Sequence, residues 1–110
     1  MNEHVQKLKK LEIDRSANGF LTNFNQWTIE IGEIIAQEHN IQLTNTHWDI
    51  ISWIQELYKR KKEITIEAIT KTEIVNINEL FDLFTDEPIL VSTKIAGLPC
   101  LNKLKKTAWD

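Results

Sequence analysis

Apolar residues recur at helical spacing over most of the chain. Trp27, Ile31, Ile34 and Ile35 fall on one face, with Glu30, Glu33 and Gln37 elsewhere. This predicts a helix that Asn25 can cap and that Asn40 can stop in the left-handed conformation. Ile41 and Leu43 then tuck the connection into the core. The strongest pattern starts at Thr44: Trp48, Ile51, Ile54, Leu57 and Tyr58 make a broad stripe that Ile50 and Trp53 widen, so a central helix is expected here. It runs out in Lys59-Arg60-Lys61-Lys62, which reads as a solvated run complementing the helix dipole, with a docking patch as the other reading.

Later segments are shorter. Residues 64–70 are rich in β-branched side chains and partly alternate, which on propensity alone reads as a strand. Asn76 followed by Glu79 forms a capping box ahead of Leu80, Phe81, Leu83 and Phe84. Thr85-Asp86-Glu87 breaks that helix, and Pro88 suits the first turn of a last one through Ile89, Leu90 and Val91. Gly97 ends it and Pro99 cannot continue it. At the other end, Leu11-Glu12-Ile13 and Phe20-Leu21 flank Asn18-Gly19, which predicts a small N-terminal β-hairpin leaning on the helices. The expected fold is mostly α within the α+β class: one domain over residues 1–110, with a loose start at 1–10 and a tail at 100–110.

Composition narrows the function classes. The chain has 110 residues, 42% hydrophobic, with four tryptophans, enough for a packed core. A formal charge of −3 gives no general pull toward nucleic acid or anionic lipid. One cysteine cannot make an intrachain disulfide, and the polar start lacks the apolar core of a signal peptide, so a cytoplasmic protein with no membrane partner is expected. His39 and His47 lack metal-ligand spacing, and no phosphate-cradling glycine loop or serine nucleophile motif appears. No cofactor and no metal are expected. His47, in the first turn of its helix, reads as hydrogen-bonded structure rather than a partner contact.

The remaining chemistry sits at the end of the last helix. Thr93-Lys94-Ile95-Ala96-Gly97-Leu98-Pro99 leads directly into Cys100, the lone cysteine. This block resembles the C-terminal signature of the TusE/DsrC family of sulfur-relay proteins. Gly19-Phe20-Leu21, Trp27, Leu43-Thr44, His47-Trp48, Tyr58, Leu80-Phe81 and Pro88 agree with the family in order, over roughly residues 11–100. The resemblance implies a helical array with a DsrC-like fold, and a helix over residues 64–70 against local propensity. It also implies a cysteine that carries sulfur as a persulfide near the end of a C-terminal arm. Sulfur-donor and sulfur-acceptor proteins, TusBCD-like or sulfite-reductase-like, would be its partners, with tRNA thiolation downstream and tRNA touched at most indirectly.

Leu104, Cys100 and Glu67 depart from the family pattern, whereas Thr93 fits one of its branches. The second cysteine of some members is Thr93 here, as in the TusE branch. The penultimate-cysteine position falls at Leu104, and Cys100 stands where a lysine is usual, so it is either a relocated nucleophile or an incidental thiol. Glu67 replaces a residue that is typically arginine. The expected site is therefore Cys100 as nucleophile, with Lys94, Gly97, Pro99 and Lys103 toward the partner. The basic tail Lys103, Lys105, Lys106 with Trp109 reads as a solubilising terminus, or as a grip on RNA or an acidic groove. The competing function is a non-catalytic binding or regulatory relative that has lost the sulfur-carrying cysteine.

Overall fold

The computed structural model describes residues 14–99. A 3-10 turn at Phe24–Gln26 is followed by five helices: α1 (Ile29–Glu38), α2 (Asn45–Lys59), α3 (Ile66–Thr70), α4 (Ile77–Phe84) and α5 (Pro88–Ile95). The architecture is mostly helical, and most helix starts are set by a local side-chain oxygen. Thr28, Thr44, Thr65 and Asn76 each accept a hydrogen bond from the backbone N–H three residues on, filling a donor that the helix leaves open. Asn76 and Glu79 close the predicted capping box reciprocally. Two helix ends are equally local. Asn40 and Lys61, both at φ 60, let the next N–H fold back, Ile41 onto Ala36 O and Lys62 onto Leu57 O.

The central element is α5 rather than the longer α2. It packs against α1, α2 and α4, and Pro88, Ile89, Val91, Ser92, Thr93 and Ile95 are all buried. Its apolar content is spread around the cylinder, as suits a helix enclosed on several sides. The stripe Ile50, Ile51, Ile54 and Leu57 of α2 and the face Ile31, Ile34 and Ile35 of α1 belong to the same core, with Leu80 and Phe84 of α4. Ser92 and Thr93 enter that core because their hydroxyls donate to Ile89 O, at 3.4 Å and 2.7 Å, and so are not left unpaired.

Two expectations need correction. Among the described residues there is no strand. The predicted N-terminal hairpin is reduced to a turn closed by one antiparallel bridge, Arg15 with Leu21. Gly19 does take the turn at φ 93, but Phe20 and Leu21 drop into the core and Asn23 caps the 3-10 turn directly afterwards, so the second arm has no length to pair. Leu11, Glu12 and Ile13 of the first arm lie outside the described residues. Secondly, Asn25 caps nothing: Thr28 caps α1, and Trp27 precedes the helix in extended conformation. Residues 64–70, by contrast, hold the helix that the resemblance implied against strand propensity. Thr65 caps α3 over Ile66–Thr70, and Trp53 Nε1 donates to Ala68 O at 3.0 Å, tying this short helix to α2. Ile64 stays outside the helix and is buried.

Candidate functional site

The last turn of α5 and the residues after it are held more tightly than a simple helix end requires. Gly97, at φ 84, donates its N–H to Lys94 O at 3.1 Å, and Leu98 donates to Thr93 O at 3.1 Å. These are the two bonds of a Schellman cap, and Leu98 is fully buried beneath it. Two side chains from elsewhere take the remaining carbonyls. Trp27 Nε1 donates to Ile95 O at 2.8 Å, and Gln55 Nε2 of α2 donates to Ala96 O at 2.8 Å. The indole lies between two glycines: a Cβ on Gly97 would stand 2.2 Å from Trp27 Cδ1, and one on Gly32 of α1 would stand 3.0 Å from Cζ2. Gly97 is thus needed twice, for its backbone angle and for the closeness of Trp27.

Pro99, half-buried, is the last described residue. Cys100 and Lys103, predicted as nucleophile and partner contact, lie outside the described residues. In sequence, Cys100 follows directly on Pro99. The residue expected to carry chemistry is therefore attached directly to a fixed root.

Lys94, one turn back from the root, borders a polar cleft of about 450 Å³ with Arg15, the turn residues 16–19, Glu38 and His39. Arg15 grips Glu38 through both guanidinium ends, at 2.9 and 2.8 Å, and its Nε donates to Gly19 O at 3.0 Å. The Lys94 ammonium sits 5.4 Å from the centre of the Phe20 ring. Partial burial and then the nearby Arg15 charge lower the Lys94 pKa. Burial and then Lys94 itself lower that of His39. Among the described residues no group of His, Cys, Asp and Glu is arranged to hold a metal ion. No helix among them is long and apolar enough to cross a membrane.

His47 is not part of this site. Its ring is buried, accepts from Thr44 N at 3.0 Å through Nδ1, and pairs through Nε2 with Leu83 O at 2.9 Å. A carbonyl only accepts, so Nε2 carries the proton that links α2 to α4. Thr93 is buried at the position expected to distinguish the family branches. Trp27 was legible as a core residue and a family-matching position but not as a clamp, and Gln55 gave no signal at all. Their partners lie 68 and 41 residues away in the sequence.

The chain as a whole is similar to known proteins. Residues 7–102 match the family described as DsrC like protein. The chain is 33% identical to a sulfurtransferase TusE of Buchnera aphidicola from Schizaphis graminum, an alignment covering 89% of this chain and 92% of that protein. It is 35% identical to the sulfurtransferase TusE of Photorhabdus laumondii, over 80% of this chain and 86% of the relative. The NMR structure of Allochromatium vinosum DsrC superposes with a TM-score of 0.72 at 28% identity, covering 79% of this chain and 85% of that one. The signature block, the helical array and these relatives agree, and the chain belongs to the TusE/DsrC family of sulfur-relay proteins.

Proposed function

We propose that this protein accepts sulfur on Cys100 as a persulfide and hands it to an acceptor protein in the cytoplasm. In the loading step the Cys100 thiolate attacks the terminal sulfur of a donor persulfide. A new S–S bond forms at Cys100, the donor's S–S bond breaks, and the donor leaves as a thiolate, with no external oxidant or reductant needed. The observation that supports the reading is the doubly anchored root at Ile95 to Leu98, two residues before Cys100 in the sequence. Lys94 and Pro99 then form the surface a partner meets, with Gly97 buried behind them against the Trp27 indole rather than on that surface, and Lys103 follows in the sequence. TusBCD-like or sulfite-reductase-like proteins fit as donor and acceptor, and tRNA enters at most through the acceptor.

The test is mass spectrometry after incubation with a cysteine desulfurase and cysteine. The expected result is a gain of one sulfur mapped to Cys100 and absent from Cys100→Ser. A second reading, a binding relative without relay chemistry, is favoured by Leu104 at the family's nucleophile position. It predicts no sulfur gain and a Cys100 that iodoacetamide alkylates only after unfolding, a result that ends the carrier reading.

A further inference from the structure

Residues 63–87 hold seven carboxylates and one lysine, Lys71, for a net charge of −6 against −3 for the whole chain. The rest of the sequence therefore sums to +3, so the acidity of this protein is concentrated in α3, α4 and their connections. The ion pairs among the described residues, Arg15 with Glu38 and Arg60 with Glu56, use none of these carboxylates.

The same region exposes apolar surface. An open groove of about 380 Å³ is walled by Ile66, Phe81, Pro88, Ile89 and Leu90, and Asp86 and Glu87 complete its lining. Phe81 is 39% exposed, and Ile77, one helical turn before it on the same face of α4, is 50% exposed. Ile74 adds a third exposed side chain ahead of the helix. Scattered exposed apolar residues are ordinary, but here Phe81 itself lines an apolar groove with acidic residues in its lining, and Ile77 lies one helical turn away.

We propose that this face docks a basic, leucine-rich helical segment of a partner protein, whose apolar side chains enter the groove while its lysines or arginines meet Asp86, Glu87 and the surrounding carboxylates. Charge decides the class of occupant. A local −6 repels nucleic acid and anionic lipid, and attracts and orients a cationic peptide. The apolar strip also extends about 6 Å along α4 from Phe81 to Ile77, as an amphipathic helix needs for successive anchors. The surface lies at the N-terminal end of α5, about 12 Å along the helix from the root of Cys100. Docking here is independent of whether Cys100 carries sulfur.

The test is an NMR titration of the isotope-labelled protein with a synthetic amphipathic peptide, leucine at every third or fourth position and lysine between. A peptide with glutamate in place of lysine serves as control. Saturable shifts are expected at Ile66, Phe81 and residues 86–90 with the lysine peptide only. Asp86→Lys combined with Glu87→Gln should weaken binding at least about tenfold, as should Phe81→Ala. Glu33→Lys combined with Asp49→Asn makes the same change in net charge at exposed positions elsewhere and should leave binding within about twofold. Circular dichroism confirms that each variant is folded. Shifts elsewhere, equal weakening by the two charge-changed pairs, or shifts that follow protein concentration without peptide would overturn the proposal, the last pointing to a second copy of this chain.

Discussion

Replacing Gly97 by alanine isolates what holds the root of the C-terminal segment. Two costs combine. An L-residue in the left-handed region loses about 1–2 kcal/mol, since its Cβ crowds the following carbonyl. The new Cβ would also stand 2.2 Å from Trp27 Cδ1, well inside van der Waals contact, and that atom belongs to a rigid ring. The ring must move, and its hydrogen bond to Ile95 O, worth about 0.5–1.5 kcal/mol, is strained or lost. Together these give about 1.5–3.5 kcal/mol, a large part of the stability of a small domain. Gly19→Ala supplies the control. Its φ is 93, but the new Cβ would approach only the flexible end of Arg15, at 3.2 Å, so it should cost about 1–2 kcal/mol from the backbone alone. Denaturant melts followed by circular dichroism compare the two, with an unchanged slope identifying a stability effect. Equal losses for the two alanines would refute the indole clamp, and so would a Gly97→Ala protein as stable as the parent.

Truncating Ile51 to alanine, inside the α2 stripe, should cost about 2–5 kcal/mol in the same melts; a negligible change would mean the stripe is not core. Thr85 sits at φ 73 and ψ −166, a region that suits glycine. Relief of about 1–3 kcal/mol of strain, less about 0.5–1 kcal/mol of added chain entropy, makes Thr85→Gly stabilising by about 1 kcal/mol in a thermal melt. His39 binds its proton less readily folded than unfolded, so the unfolded state gains protons first on acidification. Stability should therefore fall as pH drops from 6.5 toward the depressed value, and His39→Gln should remove that slope in melts across the range. An unaltered slope in the variant would assign the acid response to another group.

Features encoded within a few residues were legible in the sequence. The Asn76 and Glu79 box, the left-handed Asn40, Pro88 in a first turn and the Gly97 stop need only neighbours, and each is present. The hairpin was half legible. Asn18-Gly19 does make a turn, because that depends on local backbone angles. Whether strands extend from it depends on where Phe20 and Leu21 go, which the core decides. The helix at residues 66–70 shows the same ordering, since β-branched propensity yields to the Thr65 cap and to packing under Trp53. The candidate site was legible as a block but not as a structure. Lys94 and Gly97 could be named, yet the clamp on them comes from Trp27 and Gln55, whose partners are backbone carbonyls that carry no sequence signature.

The clamp bears on how sulfur can be delivered. With Leu98 buried and the carbonyls of Ile95 and Ala96 occupied, the anchored root of the last helix extends to Leu98. A thiol at Cys100 is then one residue from fixed backbone, whereas a thiol at position 104 would gain four residues, roughly 13–14 Å of extended reach. A long reach lets a carrier enter a partner's interior; a short one requires the partner to come to the domain. Relay through Cys100 therefore needs a surface around Pro99 that a partner can press against, and Lys94 stands one turn back along the same helix. If Cys100 relays sulfur as proposed, the rigidity of the root, and not the length of the tail, would govern transfer. Loosening Trp27 or Gln55 should impair delivery by changing where the thiol is presented, while its intrinsic reactivity toward a small alkylating agent stays the same.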